Sequence, residues 1–199
     1  MNHSDIKLTI REISPCGVEK LFPTEALPEF AHRFHYDPSE MQHIMGLREA
    51  LLPLITPEVS CRIKEQEIFL GITLGDGADG LRELYLAHQQ VGDAYITECI
   101  GCYLLNEIYS LLPELVYHEA EKWIGALSFP EDTDSLVFIR DTLAASGCSI
   151  SINPYGSLIP GPSVLCKAVL SEEKSPAVGS ICAHCSRKAD CPMGKTVLH

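Results

Sequence analysis

The stretch "YITECIGCYLLNEIYSLL", Tyr95 to Leu112, constrains this chain more than any other. Its residues favour helix, and they are apolar nearly all round rather than along one stripe, which is the pattern of a helix buried on several sides. Other elements must therefore cover it, and it becomes the spine of the core. The helical composition extends from Asp79 to about Trp123, with Pro113 expected to kink or split it because proline removes a backbone donor and clashes with the preceding turn. Cys99 and Cys102 lie three apart on one face of this helix. Small buried hydrophobes are the commoner use of cysteine in such a place.

The elements needed to cover that helix are legible on either side of it. "DIKLTIREI" alternates Ile6, Leu8 and Ile10 with polar neighbours, the period of a half-buried strand. In "YDPSEMQHIMGLREALLPLI", Asp37 can cap, Pro38 suits a first helical turn and Glu40 completes a capping box, so the pattern predicts a helix from about Pro38 to about Leu54. "EIFLGITLGDGADG" reads as a buried strand through Leu74 followed by a Gly/Asp turn. That turn is no phosphate loop, since Gly75, Gly77 and Gly80 lack the Gly-x-Gly-x-x-Gly spacing and no Lys-Ser/Thr follows. "FPEDTDSLVFIRDTLAASG" carries the acidic first turn and trailing Gly147 of another capped helix. "CSISIN" and "VLCKAVL" read as strands expected to pair antiparallel across the loop "PYGSLIPGPS". Tyr155, Gly156, Pro160 and Gly161 in that loop bring backbone close to whatever lies above the sheet, which suits a ligand wall. Residues 1–178 are thus predicted to form one α+β domain, a mixed or antiparallel sheet packed with helices, with 179–199 as a cysteine-containing tail.

At 199 residues the chain can bury a core without staples. The formal net charge of −12 makes nucleic acid an unsuitable partner, because phosphate would be repelled. A small molecule, or a protein with a basic patch, fits better. No apolar run approaches the roughly 20 residues of a membrane helix. The opening "MNHSDIKLTI" lacks a secretory layout, and the nine cysteines are odd in number and scattered, so the reading is cytoplasmic and reducing. A hydrolase has little behind it: there is no Gly-x-Ser-x-Gly elbow, and His118-Glu119 lacks the second His of a zinc protease helix, which leaves only a Cys–His nucleophile with partners distant in the chain.

The tail "CAHCSRKADCPMGK" places Cys182, Cys185 and Cys191 at C-x2-C-x5-C, a spacing that lets three thiolates converge on one metal ion or cluster. Arg187, Lys188 and Lys195 would lower thiolate pKa values, with Asp190 opposing them. A fourth ligand has to come from elsewhere. Cys166 is taken for that role because its strand leads into the tail; Cys16, His184, water or a partner's ligand are the alternatives.

At "SINPYGSLIPGPSVLCKAV" the chain resembles the reactivation domain of cobalamin-dependent methionine synthase, where Met-Trp-Pro-Gly-Ala-Ser-Val stands in the place of Leu158 to Val164. "FPEDTDSLVFIRDTL" is similar to that family's Pro-Glu-His-Thr-Glu helix start. "FLGITLGDGADG" resembles its Thr-x-Gly strand end and acidic turn, and the helix after it fits as well. The resemblance covers roughly residues 68–178. It implies a compact α+β domain that binds S-adenosylmethionine and docks on a corrinoid protein, so that inactive cob(II)alamin is reduced and remethylated. Carried over by position, the family's helix glutamate falls at Glu119, and its Arg-Pro-x-Pro-Gly-Tyr motif falls in "EKWIGAL". Only Gly125 fits that motif, with Glu121 near the Arg position and Ala126 at the Tyr. The family's Tyr-Tyr pair would fall at Ser175 and Pro176. A lost Arg–carboxylate contact alone costs about 1.5–3 kcal/mol, so these replacements argue against tight S-adenosylmethionine binding. Smaller stand-alone relatives of the domain resemble this chain in carrying a Cys-x-x-Cys and a further Cys near the end.

The resemblance and the thiols together imply an accessory protein of corrinoid chemistry that docks on a cobalamin-bearing partner, with a C-terminal iron–sulfur centre assisting reductive reactivation or methyl transfer. In that picture the loop from Tyr155 to Ser163 faces the corrin. The alternative is a non-catalytic binding or structural module on the same scaffold, with zinc or no metal in the tail.

Overall fold

A computed structural model describes residues 6–11, 15–130 and 132–174. In chain order its elements are β1 (Ile6–Arg11), α1 (Pro15–Leu21), α2 (Leu27–Arg33), α3 (Met41–Leu51), β2 (Glu58–Lys64), β3 (Glu67–Thr73), α4 (Gly77–Ala87), α5 (Val91–Ala120), β4 (Trp123–Ser128), α6 (Thr133–Ala144), β5 (Ser151–Ile152), β6 (Leu158–Ile159) and β7 (Ser163–Ser171). The main sheet has the order β1-β2-β3-β7-β4 with every neighbouring pair antiparallel, and β5 and β6 form a separate short hairpin. The expected α+β class is what the structure shows.

The apolar helix is α5, 30 residues long. Ile100, Leu104, Ile108 and Leu112 are buried along it and meet Ile68, Leu70 and Ile72 of β3, the alternate residues that point to this face of the sheet. α1, α2 and α3 close the other sides. Phe22, Phe30 and Tyr103 pack there in tilted and edge-on contacts at 4.6–5.7 Å between ring centroids, and the buried Arg48 donates from Nε to the Phe22 carbonyl at 2.6 Å. The opposite face of the sheet is covered by α6, through Phe69, Ile139, Leu143, Ile150 and Leu165. Gly71 permits that approach, since a Cβ there would lie 3.1 Å from both Cys148 Sγ and Leu143 Cδ1.

Both expected N-terminal caps form. Asp37 Oδ1 accepts from the Ser39 amide while Glu40 takes the Asp37 amide, each at 2.9 Å. Asp132 Oδ1 accepts from the Ser135 amide at 2.7 Å, which starts α6. The helix predicted from Pro38 to Leu54 is α3 with a 3-10 turn at each end.

Four expectations are corrected. The long helical stretch breaks at 88–90, where Gln89 takes a positive φ of 61°, and runs unbroken through Pro113. Burial of both neighbouring turns, through Tyr109, Leu112 and Val116, offsets the one lost backbone bond. Two strands, β2 and β4, were not foreseen in "EVSCRIK" and "WIGALS", because each is short and interrupted by charge or glycine. "CSISIN" does not pair with "VLCKAVL". Only Ser151 and Ile152 are extended and they pair with β6, whereas β7 enters the sheet between β3 and β4.

Candidate functional site

The loop that joins β5 to β7 is braced by a series of hydrogen bonds. Asn153 Oδ1 accepts from the amides of Tyr155 and Ser157, both at 2.9 Å, and the Gly156 amide donates to the Asn153 carbonyl at 3.0 Å. Gly156 takes a φ of +80°, open to glycine and strained for other residues. The Ile159–Pro160 peptide is cis. Gly161 then donates to Asp79 Oδ2 at 2.6 Å, the Leu74 amide donates to the Pro162 carbonyl at 3.1 Å, and Ser163 Oγ donates to Thr73 Oγ1 at 2.8 Å. Thr73 Oγ1 also accepts from the Gly75 amide at 3.1 Å.

The loop is thereby fixed to the first turn of α4 and to the end of β3. It also leans on α5, where a Cβ at Gly101 would meet Pro162 at 3.8 Å. Tyr155 stands at the crest of this structure, 91% exposed. Of the candidate residues, Tyr155, Gly156, Pro160 and Gly161 are brought together here. Asp79, Thr73 and Ser163, which hold the loop, were not singled out in the sequence. Asp79 was visible only as one of the acids in "GDGADG".

Glu119 and Gly125 lie elsewhere. Glu119 is in the last turn of α5, 18 residues beyond Gly101, a span of about 27 Å at the helical rise. Its Oε1 is 3.3 Å from His118 Nδ1 on an exposed surface. Gly125 sits in β4 at the register shift between Ile124 and Leu127, and a Cβ there would come within 2.9 Å of the Val169 carbonyl. Val169 is six residues along β7 from Ser163, roughly 20 Å at strand rise. The ligand-binding candidates thus form two groups, one at the start of β7 beside Gly101 and the other near the C-terminal ends of α5 and β7.

The Glu119–Gly125 end has a feature not read from the sequence. Tyr117 and Trp123 stack at 4.2 Å between centroids, Lys174 Nζ lies 4.6 Å above the indole, and the same ammonium donates to Glu114 at 2.6 Å. A cation over an indole face is the strongest form of this contact. The lone tryptophan of the chain was the available signal.

Cys166 lies in the main core with 0% exposure, and burial pushes its thiol up to about 12. A metal held through it would have to sit between the sheet and α5. Cys182, Cys185 and Cys191 lie outside the described residues. Among the described residues no group of three or more His, Cys, Asp or Glu side chains is arranged to hold a metal ion. Cys99 is buried and receives a hydrogen bond from the Tyr36 hydroxyl at 3.5 Å, while Cys102 is exposed one turn on. Among the described residues no helix is long and apolar enough to cross a membrane.

No protein-family model matches the chain, and no curated protein matches it. Among solved structures, the crystal structure of the MetH reactivation domain bound to AdoHcy matches with a TM-score of 0.61 at 11% identity, over 88% of this chain and 82% of that one. At that identity the likeness is one of fold. It agrees with the resemblance read from "SINPYGSLIPGPSVLCKAV" and extends it over most of the chain.

Proposed function

We propose that this protein is an accessory factor of corrinoid chemistry, which docks on a cobalamin-bearing protein with the Asn153–Ser163 loop toward the corrin. The observation that supports it most directly is the loop itself: a cross-braced backbone on a reactivation-domain fold, with an exposed tyrosine at its crest. A loop so braced loses little conformational freedom on docking, which favours binding.

In this reading the far end of α5 corresponds to the region where the solved domain binds AdoHcy. Glu121 and Ala126 replace an arginine and a tyrosine there, and the Tyr117–Trp123–Lys174 stack is its most prominent feature, so S-adenosylmethionine binds weakly or not at all. The thiolates of Cys182, Cys185 and Cys191 would hold an iron–sulfur centre, with the fourth ligand from solvent or the partner, since ligation by Cys166 would open the core. Such a centre would supply one-electron reduction of the partner's cobalamin, with the electron drawn from a small electron-transfer protein.

The test is sedimentation of the purified protein with a purified corrinoid protein carrying hydroxocobalamin, followed at the corrin absorbance. Comigration, weakened by Tyr155→Ala and by Asp79→Ala, is expected. Absence of comigration with the cobalamin in its cob(II) and cob(III) forms alike would remove the reading and leave a binding or structural module on this scaffold.

A further inference from the structure

Cys99 and Cys102 enclose Ile100 and Gly101 as C-x2-C within α5, and the two thiols meet different surroundings. Cys99 is 4% exposed whereas Cys102 is open to solvent, so the expectation of two small buried hydrophobes holds for the first alone. Sγ of Cys99 receives the Tyr36 hydroxyl at 3.5 Å and a second hydroxyl from Tyr95, one turn back on its own helix. Two donors on one buried thiol exceed what packing needs, and both stabilise its thiolate form. Burial acts the other way and holds this thiol above the ordinary range. Cys102 is therefore the first of the pair to react, and Cys99 the second.

Positions three apart on a helix set the Cα atoms about 5 Å apart, inside the roughly 4.4–6.8 Å that a disulfide spans. Their Cβ atoms stand about 5–6 Å apart, however, against about 3.5–4.5 Å in a disulfide. Closure thus draws the two residues together and distorts the turn between them. Gly101 lies in that turn and supplies the backbone freedom. Beside it sit Leu74 and Pro162, each within 3.9 Å of where a Cβ of Gly101 would be. The Leu74 amide donates to the Pro162 carbonyl at 3.1 Å, and the adjoining Gly161 amide is held by Asp79. A distorted turn at Gly101 therefore bears on the bonds that fix the loop.

We infer that Cys99 and Cys102 are a reversible redox site, closed to a disulfide by a low-molecular-weight disulfide, and that closure loosens the Asn153–Ser163 loop through Gly101. The Cys102 thiolate attacks one sulfur of the oxidant, which forms a mixed disulfide and releases one thiolate. Cys99 Sγ then attacks Cys102 Sγ, breaking the mixed bond and releasing the second thiolate. The two protons lost by the protein thiols are taken up by the two thiolates released. Both cysteines are thereby oxidised and the small disulfide is reduced to two thiols. Because the closed turn is strained, the bond is readily reduced by excess thiol, which is the property of a regulatory disulfide. The site stands on its own geometry; only its consequence for corrinoid docking, weaker binding in the closed form, rests on the proposed function.

The test treats the full chain, kept free of oxygen, with oxidised glutathione, quenches it in acid and digests it with trypsin. Glu83 to Lys122 is one tryptic peptide, with Cys99 and Cys102 as its only cysteines. Expected is the loss of two hydrogen atoms from that peptide, restored by dithiothreitol. By NMR, the Gly161 and Leu74 amides should exchange at least about tenfold faster in the closed form, while the Ser135 amide at the start of α6 is unchanged. Gly101→Ala has room for its methyl group, so it should fold, yet close several-fold more slowly. Glutathione retained on Cys102 without a bridge, a bridge only between two copies, or a closed form whose Gly161 and Leu74 amides exchange as before would overturn the inference. If the open protein fails to comigrate with the corrinoid protein, the proposed function falls and the redox site stands. If open and closed forms comigrate equally, the proposed function stands and the link from the site to docking falls.

Discussion

The carboxylate of Asp79 receives the amide of Gly161 at 2.6 Å, and a Cβ on Gly161 would stand only 2.7 Å from the other oxygen of that carboxylate. The two residues are 82 positions apart and share one small space. Asp79→Ala removes the acceptor at a partly solvated site and is expected to lower stability by about 1 kcal/mol. Gly161→Ala displaces the carboxylate and loses the same bond. The double variant should therefore be no less stable than either single one, since the clash has gone with the side chain. Urea unfolding of the four proteins checks this; strictly additive losses would mean the two residues are not coupled.

The same pair shows why part of the site was hidden in the sequence. Glycine, proline and tyrosine marked the loop, because turn chemistry is local. Its anchor lies on another element, and only the register that sets Leu74 opposite Pro162 makes Asp79 adjacent. β2 was missed for a related reason: Val59, Cys61 and Ile63 alternate correctly but are divided by Ser60 and Arg62, and their strand character depends on partners on both sides. α5, by contrast, was plain, since a helix apolar all round can be stable only when enclosed. β7 was seen as a strand but given the wrong neighbour, because pairing with the preceding segment is the local choice and insertion between β3 and β4 is a global one.

Burial raises the thiols of Cys61 and Cys166 to about 12 from an ordinary 9, with the charge of Glu119 adding to the first. Raised acids of this kind favour the folded state below pH 9, where both states keep the proton. As pH rises from 9 toward 12 the unfolded chain deprotonates first, and that stability is lost. Tyr103, raised to about 12 by burial, acts in the same direction. Urea midpoints should hold steady up to pH 9 and fall above it. Cys166→Ser, which buries a hydroxyl in an apolar site, should lower the plateau by about 1–3 kcal/mol. A midpoint unchanged up to pH 11 would contradict the buried placement.

The same burial predicts selectivity toward alkylation. Iodoacetamide at pH 8 should modify the exposed Cys102 and spare Cys61 and Cys166 until the chain is unfolded, because the thiolate is the nucleophile and access is required. Peptide mass spectrometry of native and urea-treated samples reads this directly. Labelling of Cys166 in the native protein would show that the sheet opens between β7 and α5.

Trp123 is the only tryptophan and lies between Tyr117 and Lys174, so its emission reports on the Glu119–Gly125 end without added label. Lys174→Ala should shift that emission by removing the charge above the indole. S-adenosylmethionine should cause no saturable change below about 1 mM, corresponding to a binding free energy weaker than about −4 kcal/mol. Saturation at micromolar concentration would mean that this end still binds the nucleoside through groups other than the replaced arginine and tyrosine.

For the tail, the prediction concerns colour and stoichiometry. Three thiolates at C-x2-C-x5-C can hold an iron–sulfur centre, whereas a zinc ion on the same ligands would be colourless. Protein purified without oxygen should carry iron and sulfide and absorb broadly in the visible, and Cys182→Ser/Cys185→Ser should lose both. Cys166→Ser separates the ligand sets. If the fourth ligand comes from solvent or the partner, this variant keeps its iron and its spectrum while losing stability. If Cys166 is a ligand, iron is lost together with stability, and the core around α5 must then open to admit the centre. Stoichiometric zinc without iron would remove electron transfer from the proposed function and leave docking alone.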